Sequence, residues 1–317
     1  MEFKIFMTKL RAIDLFCGIG GIRTGFQQAF RNNIEFVFSS DIDKFARQTY
    51  KDNYGEEPFG DITKIDEKDI PNFDILLAGF PCVAFSNAGL RKGFEDTRGT
   101  LFFDVARIIK YHTPQIVFLE NVKGLVNHDK GNTFKVIKNT LEDLGYSVNH
   151  KVLNAKDFGL PQNRERIFIV CFRNSVNFEF PTPPKTPTRL GDILETNVEE
   201  KYTISDKLWE GHQRRKAKHN SKGNGFGYCL FAKDSPYTST ISARYYKDGS
   251  EILIEQQGTP PRKLTPREAA RLQGFPDSFK ITSSDAQSYK QFGNSVSVPV
   301  IQKIAEKITE KVVDNYL

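Results

Sequence analysis

The chain has 317 residues, enough for one large domain and a smaller one. Hydrophobic residues make up 38% and charged residues 26%, which excludes a disordered chain and suits one that buries a core. The formal net charge is +6, and residues 181–284 carry 17 Lys/Arg against 12 Asp/Glu, so most of the excess falls in one segment, as expected of a surface that meets a polyanion. No apolar run approaches a membrane span, and Met1-Glu2-Phe3-Lys4-Ile5 lacks the basic-then-apolar signal pattern, so a cytoplasmic protein without a membrane partner is expected. Cys17, Cys82, Cys171 and Cys229 form no C-x-x-C pair, which points away from a disulfide framework and from a zinc site.

In chain order, Ala12-Ile13-Asp14-Leu15-Phe16 reads as a strand that runs into the glycine turn Cys17-Gly18-Ile19-Gly20-Gly21. Glycine permits positive φ and close approach of a ligand to the backbone; this turn alone fits NAD or flavin as well as any other nucleoside. Glu35–Ser40 is a second strand, with Asp41 at its end able to accept hydrogen bonds from ribose hydroxyls. Asp61, in Gly60-Asp61-Ile62-Thr63, is placed to follow a third strand and meet an adenine edge. Asp74–Ala78 is a buried strand closed by Gly79-Phe80-Pro81-Cys82, and Gln115–Leu119 is another, ending in Glu120-Asn121-Val122. A thiol and a carboxyl group thus each fall just past a strand, where parallel α/β sheets gather their chemistry. If the two strands are neighbours, the groups converge. Cys82 is the candidate nucleophile, which must react as the thiolate. Glu120 is the candidate acid, able to protonate a ring nitrogen if a closed pocket raises its pKa.

Between them, residues 86–100 combine Gly89, Gly93 and Gly99 with Arg91, Lys92 and Arg98, the composition of a basic lid. Asp104–Tyr111 and Thr133–Leu144 have helical spacing, and Arg166–Val170 is a later strand. Arg164 and Arg166 are two apart, so on an extended strand both guanidiniums face one way and can grip a base carbonyl and a phosphate. Strands alternating with helices predict a doubly wound parallel sheet.

The texture changes at Phe180-Pro181-Thr182-Pro183-Pro184, a proline-rich boundary. Beyond it, little helical periodicity is visible before Thr265, and a smaller domain of irregular and β structure is expected over 181–284, with 1–180 and 285–317 forming the first domain. Cationic, aromatic and glycine residues interleave there, in Arg214-Arg215-Lys216-Ala217-Lys218, in the stretch ending Gly227-Tyr228, and from Thr240 through Arg244 to Lys247. That mixture suits phosphate contacts with a few base contacts. Thr265-Pro266-Arg267-Glu268 reads as a capped helix start, with Gly274 as its end. Val300–Val313 is amphipathic and helical and is expected to pack on the first domain.

The ordered motifs DLFCGIGG, DIDKF, GDIT, GFPC, ENV, QNRERIFIV, RKLTPREAARLQGFP and QFGNSVSVPV resemble those of the DNA (cytosine-5)-methyltransferases of bacterial restriction–modification systems, from about residue 11 to the C-terminus. The resemblance implies a Rossmann-like S-adenosyl-L-methionine-dependent domain with a smaller target-recognition domain, acting on double-stranded DNA as a monomer whose functional partner is a cognate restriction endonuclease. It places the cofactor against Phe16, Gly18 and Gly20, with Asp41, Ile42, Asp61, Ile62, Leu101 and Asn294 around it. It makes Cys82, Glu120, Arg164 and Arg166 catalytic, and implies DNA contacts by Ser86, Arg98, Tyr228, Thr240 and Arg244, with no metal. The segments around Tyr228 and Arg244 most resemble enzymes that recognise CCGG or CCNGG sites. Two positions depart from the family pattern. Val83 stands where glutamine usually follows the Pro-Cys pair, and Ile42 stands where an aromatic residue often meets the adenine. An N-terminal repressor-like extension found in some relatives is expected to be absent. An RNA cytosine methyltransferase of the same fold is less well matched, since its Cys-Phe-Thr signature is missing around Tyr228-Cys229-Leu230-Phe231. A DNA-binding protein without catalysis is disfavoured by Cys82 and Glu120, and a nicotinamide oxidoreductase by the departure from G-x-G-x-x-G.

Overall fold

The structure is a computed structural model that describes residues 9–81, 101–223 and 227–316. Two compact units divide the chain: one takes residues up to Leu153, Glu165–Thr182 and Val300 onward, the other Asn154–Arg164 and Pro183–Pro299. Segment 285–299, which the sequence assigned to the first domain, thus groups with the second unit.

The first unit is built on a six-stranded sheet in the order β2-β1-β3-β4-β6-β5. The strands are β1 (Leu10–Leu15), β2 (Ile34–Ser40), β3 (Ile75–Ala78), β4 (Ile116–Val122), β5 (Ser147–Asn154) and β6 (Glu165–Phe172). β1 pairs with β2 and β3, and β3 with β4, all parallel. These strands are near-continuous apolar runs because both faces of a parallel sheet are covered. β4 and β6 are antiparallel, so the sheet is mixed rather than wholly parallel.

Helices α1 (Gly21–Phe30), α2 (Lys44–Tyr54), α3 (Leu101–His112) and α4 (Asn132–Asp143) accompany the sheet. The side chain of Asp43 caps α2 by accepting from the Phe45 and Ala46 amides. A core of β1, β3, β4 and β6 residues with Phe102, Val105, Ile108, Ile109, Ile137 and Leu141 fills one side. The last helix, α8 (Val298–Tyr316), groups with this unit from Val300 on, as its amphipathic pattern predicts. It approaches α1 closely at Gly25, where a β-carbon would lie 2.6 Å from Ile301 Cβ.

The second unit departs from expectation. Its strands among the described residues are the two-residue pair β7 (Leu230–Phe231) and β8 (Leu253–Ile254), which run parallel. Its regular structure is otherwise helical: α5 (Asp206–Asn220), α6 (Pro266–Leu272) and α7 (Asp285–Asn294). It is therefore irregular and helical, not β-rich. α5 escapes periodicity because its one buried residue is His212. Its start is fixed instead by the Ser205 hydroxyl, which accepts from the Leu208 amide. α6 starts as expected, with Thr265 and Glu268 forming a reciprocal capping box and Pro266 in the first turn. Gly274, just past its C-cap, has φ +78°.

Candidate active site

β3 and β4 are neighbours in register, Ala78 opposite Leu119, so the segments that follow them converge. Parallel pairing ends at that pair, yet β4 continues to Val122 because β6 pairs with it on the other side. Glu120 therefore sits inside β4, opposite Phe168, and not beyond its end. Arg166 lies opposite Val122, which makes it the diagonal same-face neighbour of Glu120. Its Nε reaches Glu120 Oε1 at 3.1 Å, with both side chains largely buried. Burial pushes the Arg166 pKa down and the Glu120 charge opposes that shift; a guanidinium stays cationic at neutral pH regardless. Gly79 adjoins the pair, since a β-carbon there would stand 3.8 Å from Glu120 Oε2.

Cys82 lies outside the described residues, as do Val83, Ser86, Arg98 and the rest of residues 86–100 expected to form a basic lid. Its predecessors are described. Phe80 is buried against Phe102, ring centroids 5.7 Å apart, and its carbonyl accepts from Asn121 Nδ2 at 2.8 Å. Asn121 is a site residue that sequence reasoning passed over. The signal was its place beside Glu120, on the opposite face of the strand. Burial pushes the thiols of Cys17 and Cys171 up, so neither forms a thiolate readily.

Arg164 does not join this group. It precedes β6, and its guanidinium donates to the carbonyls of Ile241, Gly293 and Ser295 within the second unit. The expected double grip by two arginines is thus divided: Arg166 holds a carboxylate, and Arg164 ties three backbone segments together. Gln162, fully buried, adds to that knot by bonding the Leu272 carbonyl and the Ile241 amide.

The glycine turn follows β1. Phe16, Gly18 and Gly20 all have positive φ, of 54°, 53° and 81°. The strained Phe16 is held in a region that a bulky residue rarely occupies. The carboxylate of Asp41, the first residue after β2, accepts from Gly18 N at 2.8 Å and from Asp43 N at 2.7 Å. Burial pushes its pKa up and those two amides pull it back. Phe59 makes a parallel bridge to Ser40, so Asp61 follows a single bridge and not a full strand. Asp61 accepts from the amide and hydroxyl of Thr63, and the hydroxyl above all holds its pKa down. Ile62 is buried in the core, whereas Ile42 is 75% exposed. Leu101 opens α3, half-buried, and Asn294 closes α7 in the second unit, exposed.

These features fit a nucleoside. The turn offers open backbone, Asp41 retains lone pairs beyond the two amides it serves, and Ile42 is an apolar face held in water that a flat ring would cover. Two of the residues expected to contact DNA have internal partners. The Tyr228 ring packs on Trp209 at 4.7 Å, beneath Lys216 Nζ at 4.2 Å, and Thr240 Oγ1 donates to the Asn163 carbonyl at 2.6 Å. Arg244 is exposed, as are Arg214, Arg215 and Lys218 on α5.

Solved methyltransferases share this architecture. The Entamoeba histolytica methyltransferase EhMeth aligns with a TM-score of 0.78 at 22% identity, covering 98% of this chain and all of that one. A Spodoptera frugiperda DNMT2 mutant also aligns at 0.78 and 22%, covering 95% of this chain and all of its own. The fold is that of a methyltransferase. A model of the C-5 cytosine-specific DNA methylases matches residues 10–310, and the chain belongs to that family. It is 66% identical to the Type II methyltransferase M.SsoII of Shigella sonnei, over 95% of this chain and 80% of that one. It is 64% identical to M1.ScrFI of Lactococcus lactis subsp. cremoris, over 95% and 78%. The chain is accordingly a DNA (cytosine-5)-methyltransferase of the Type II restriction–modification kind. Among the described residues, no helix is long and apolar enough to cross a membrane.

Proposed function

We propose that this enzyme methylates carbon 5 of a cytosine swung out of double-stranded DNA, with S-adenosyl-L-methionine as donor and Cys82 as covalent nucleophile. The observation that carries this reading is the Glu120–Arg166 pair set beside Gly79, at the start of the segment that leads to Cys82. Carbon 5 of free cytosine is a poor nucleophile, and the ring is unreachable within the stack. The Cys82 thiolate adds to carbon 6, while Glu120, oriented by Arg166, stabilises the proton at ring nitrogen 3. The electron pair released onto carbon 5 makes that atom enamine-like and nucleophilic. S-adenosylmethionine, when bound, supplies the methyl group as an electrophile. Loss of the carbon 5 proton to solvent then expels the Cys82 thiolate and restores the ring.

Phe16, Gly18, Gly20, Asp41, Ile42, Asp61, Ile62, Leu101 and Asn294 would form the cofactor site. The basic segment 181–284 would carry target recognition, with Tyr228, Thr240 and Arg244 near the DNA and with Ser86 and Arg98 as further DNA contacts. The enzyme would act as a cytoplasmic monomer that protects host DNA from a partner endonuclease. Cys82→Ser tests the mechanism. The variant should lose methyl transfer while keeping its affinity for duplex DNA, and a variant that turns over normally would overturn the covalent route.

A further inference from the structure

The glycine turn rests on a buried polar brace that extends from the C-terminal turn of α2. The Gly20 carbonyl lies within hydrogen-bonding distance of Thr24 N (2.8 Å), Thr24 Oγ1 (2.8 Å) and the Tyr54 hydroxyl (2.9 Å). The two hydroxyls are themselves 2.6 Å apart. Each carries one proton, so one hydroxyl donates to the carbonyl and the other closes the triangle. The Tyr54 ring also floors the turn, because a β-carbon on Gly20 would stand 2.3 Å from its Cε2. Glycine is required at this position twice over, by that floor and by its φ of +81°.

Tyr54 is fixed in turn from below. The Arg23 guanidinium lies over its ring at 4.4 Å, and over the Phe36 ring at 4.5 Å. Arg23 is buried, donates to the Tyr50 hydroxyl at 2.9 Å and pairs with Glu56. Tyr50 and Tyr54 pack with ring centroids 4.6 Å apart. On its other side the turn is held by Asp41, which takes the Gly18 amide. The carboxylate that holds Gly18 and the hydroxyl that holds Gly20 therefore come from the β2–α2 segment and clamp two positive-φ glycines on either side of Ile19.

We infer that Tyr54 is a positioning residue for the methyl donor: its hydroxyl and ring hold the Gly20 carbonyl and keep the turn in its binding shape without touching the ligand. The inference rests on the proposal that S-adenosylmethionine binds at this turn. Tyr54→Phe keeps the floor and removes the hydroxyl, and Thr24→Val removes the second hydroxyl with little change of shape. Loss of one neutral hydrogen bond corresponds to roughly a fivefold change in an equilibrium constant.

The test is titration calorimetry of each protein with S-adenosylmethionine, and separately with duplex DNA, together with steady-state kinetics. Tyr54→Phe is expected to raise the donor Kd and KM about fivefold, with kcat at saturating donor and the DNA Kd unchanged. The two substitutions together should cost less than the product of their separate effects, since they share one cluster. A general structural role would instead lower the amount of active protein and leave both KM values alone. Equal donor affinity in wild type, Tyr54→Phe and Thr24→Val overturns the inference and leaves the functional reading standing. Failure of the wild-type protein to bind S-adenosylmethionine overturns both.

Discussion

Replacing Asp14 by asparagine should change the pH dependence of stability more than stability at any one pH. Asp14 sits on β1, an interior strand of the sheet, and is fully buried, with the Tyr50 hydroxyl as its polar neighbour. Burial pushes its carboxyl from 3.8 up to about 8, against the pull of the Arg23 guanidinium. A carboxyl with a raised folded-state pKa is protonated in both states below pH 4. Between pH 4 and 8 the unfolded chain ionises while the folded one stays neutral, so stability is lost as pH rises and levels off above 8. A rise of roughly four units at about 1.4 kcal/mol each bounds the effect at ~6 kcal/mol, an order of magnitude rather than a constant. Asparagine does not titrate, so the stability difference between the two proteins isolates this group. Urea unfolding of both at pH 5, 6, 7 and 8 should show Asp14→Asn gaining on wild type by about 1 kcal/mol per pH unit. A difference that stays constant across that range would refute the reasoning. It would mean that Asp14 is ionised in the folded state and paired with Arg23.

Further outcomes follow from the same geometry. Glu120→Gln should cut methyl transfer by about 10²–10⁴-fold, the range for a lost general acid, with donor affinity unchanged by calorimetry. Gly25→Ala puts a β-carbon 2.6 Å from the branched Ile301 Cβ, which cannot swing aside. The overpacking cost of about 1–3 kcal/mol exceeds the helix-propensity gain of up to about 1 kcal/mol, so thermal unfolding should show a lower Tm. Gly124→Ala, with nothing within 4 Å of the new carbon, is the matched control and should leave the Tm nearly unchanged.

The legible parts of the fold are those whose signal is local. β1, β3 and β4 are buried along most of their length and largely apolar, so their sequences read as strands without context. The capping box at Thr265 and the positive-φ glycines of the turn were equally visible, since each depends on a few adjacent residues. β5, at the sheet edge, was not: Ser147–Asn154 is mostly polar and half-exposed, and only its pairing makes it a strand. The antiparallel direction of β6 and the entry of Glu120 into β4 are matters of long-range pairing, which no local pattern encodes. α5 was missed for the opposite reason: a helix that buries one residue has no stripe to read.

The site divides along the same line. The glycine turn, Asp41, Glu120 and Arg166 stood out as motif residues. Asn121, Tyr54 and Arg23 did not, because each acts through a partner distant in sequence: Phe80 for the first, the turn and Glu56 for the others. Arg164 was visible as a cation, but its spacing from Arg166 suggested a shared task. The structure instead commits it to three carbonyls of the second unit, because it stands before β6 and not on it.

The central claim is that this chain transfers a methyl group to carbon 5 of cytosine in a defined duplex sequence. Base-resolution mapping of duplex DNA incubated with the protein and S-adenosylmethionine tests it most directly. The account predicts 5-methylcytosine at one position of a single short motif, of CCGG or CCNGG type, and none with Cys82→Ser. Unmethylated DNA after incubation with a protein shown to bind the donor, or methyl groups on another base atom, would contradict it.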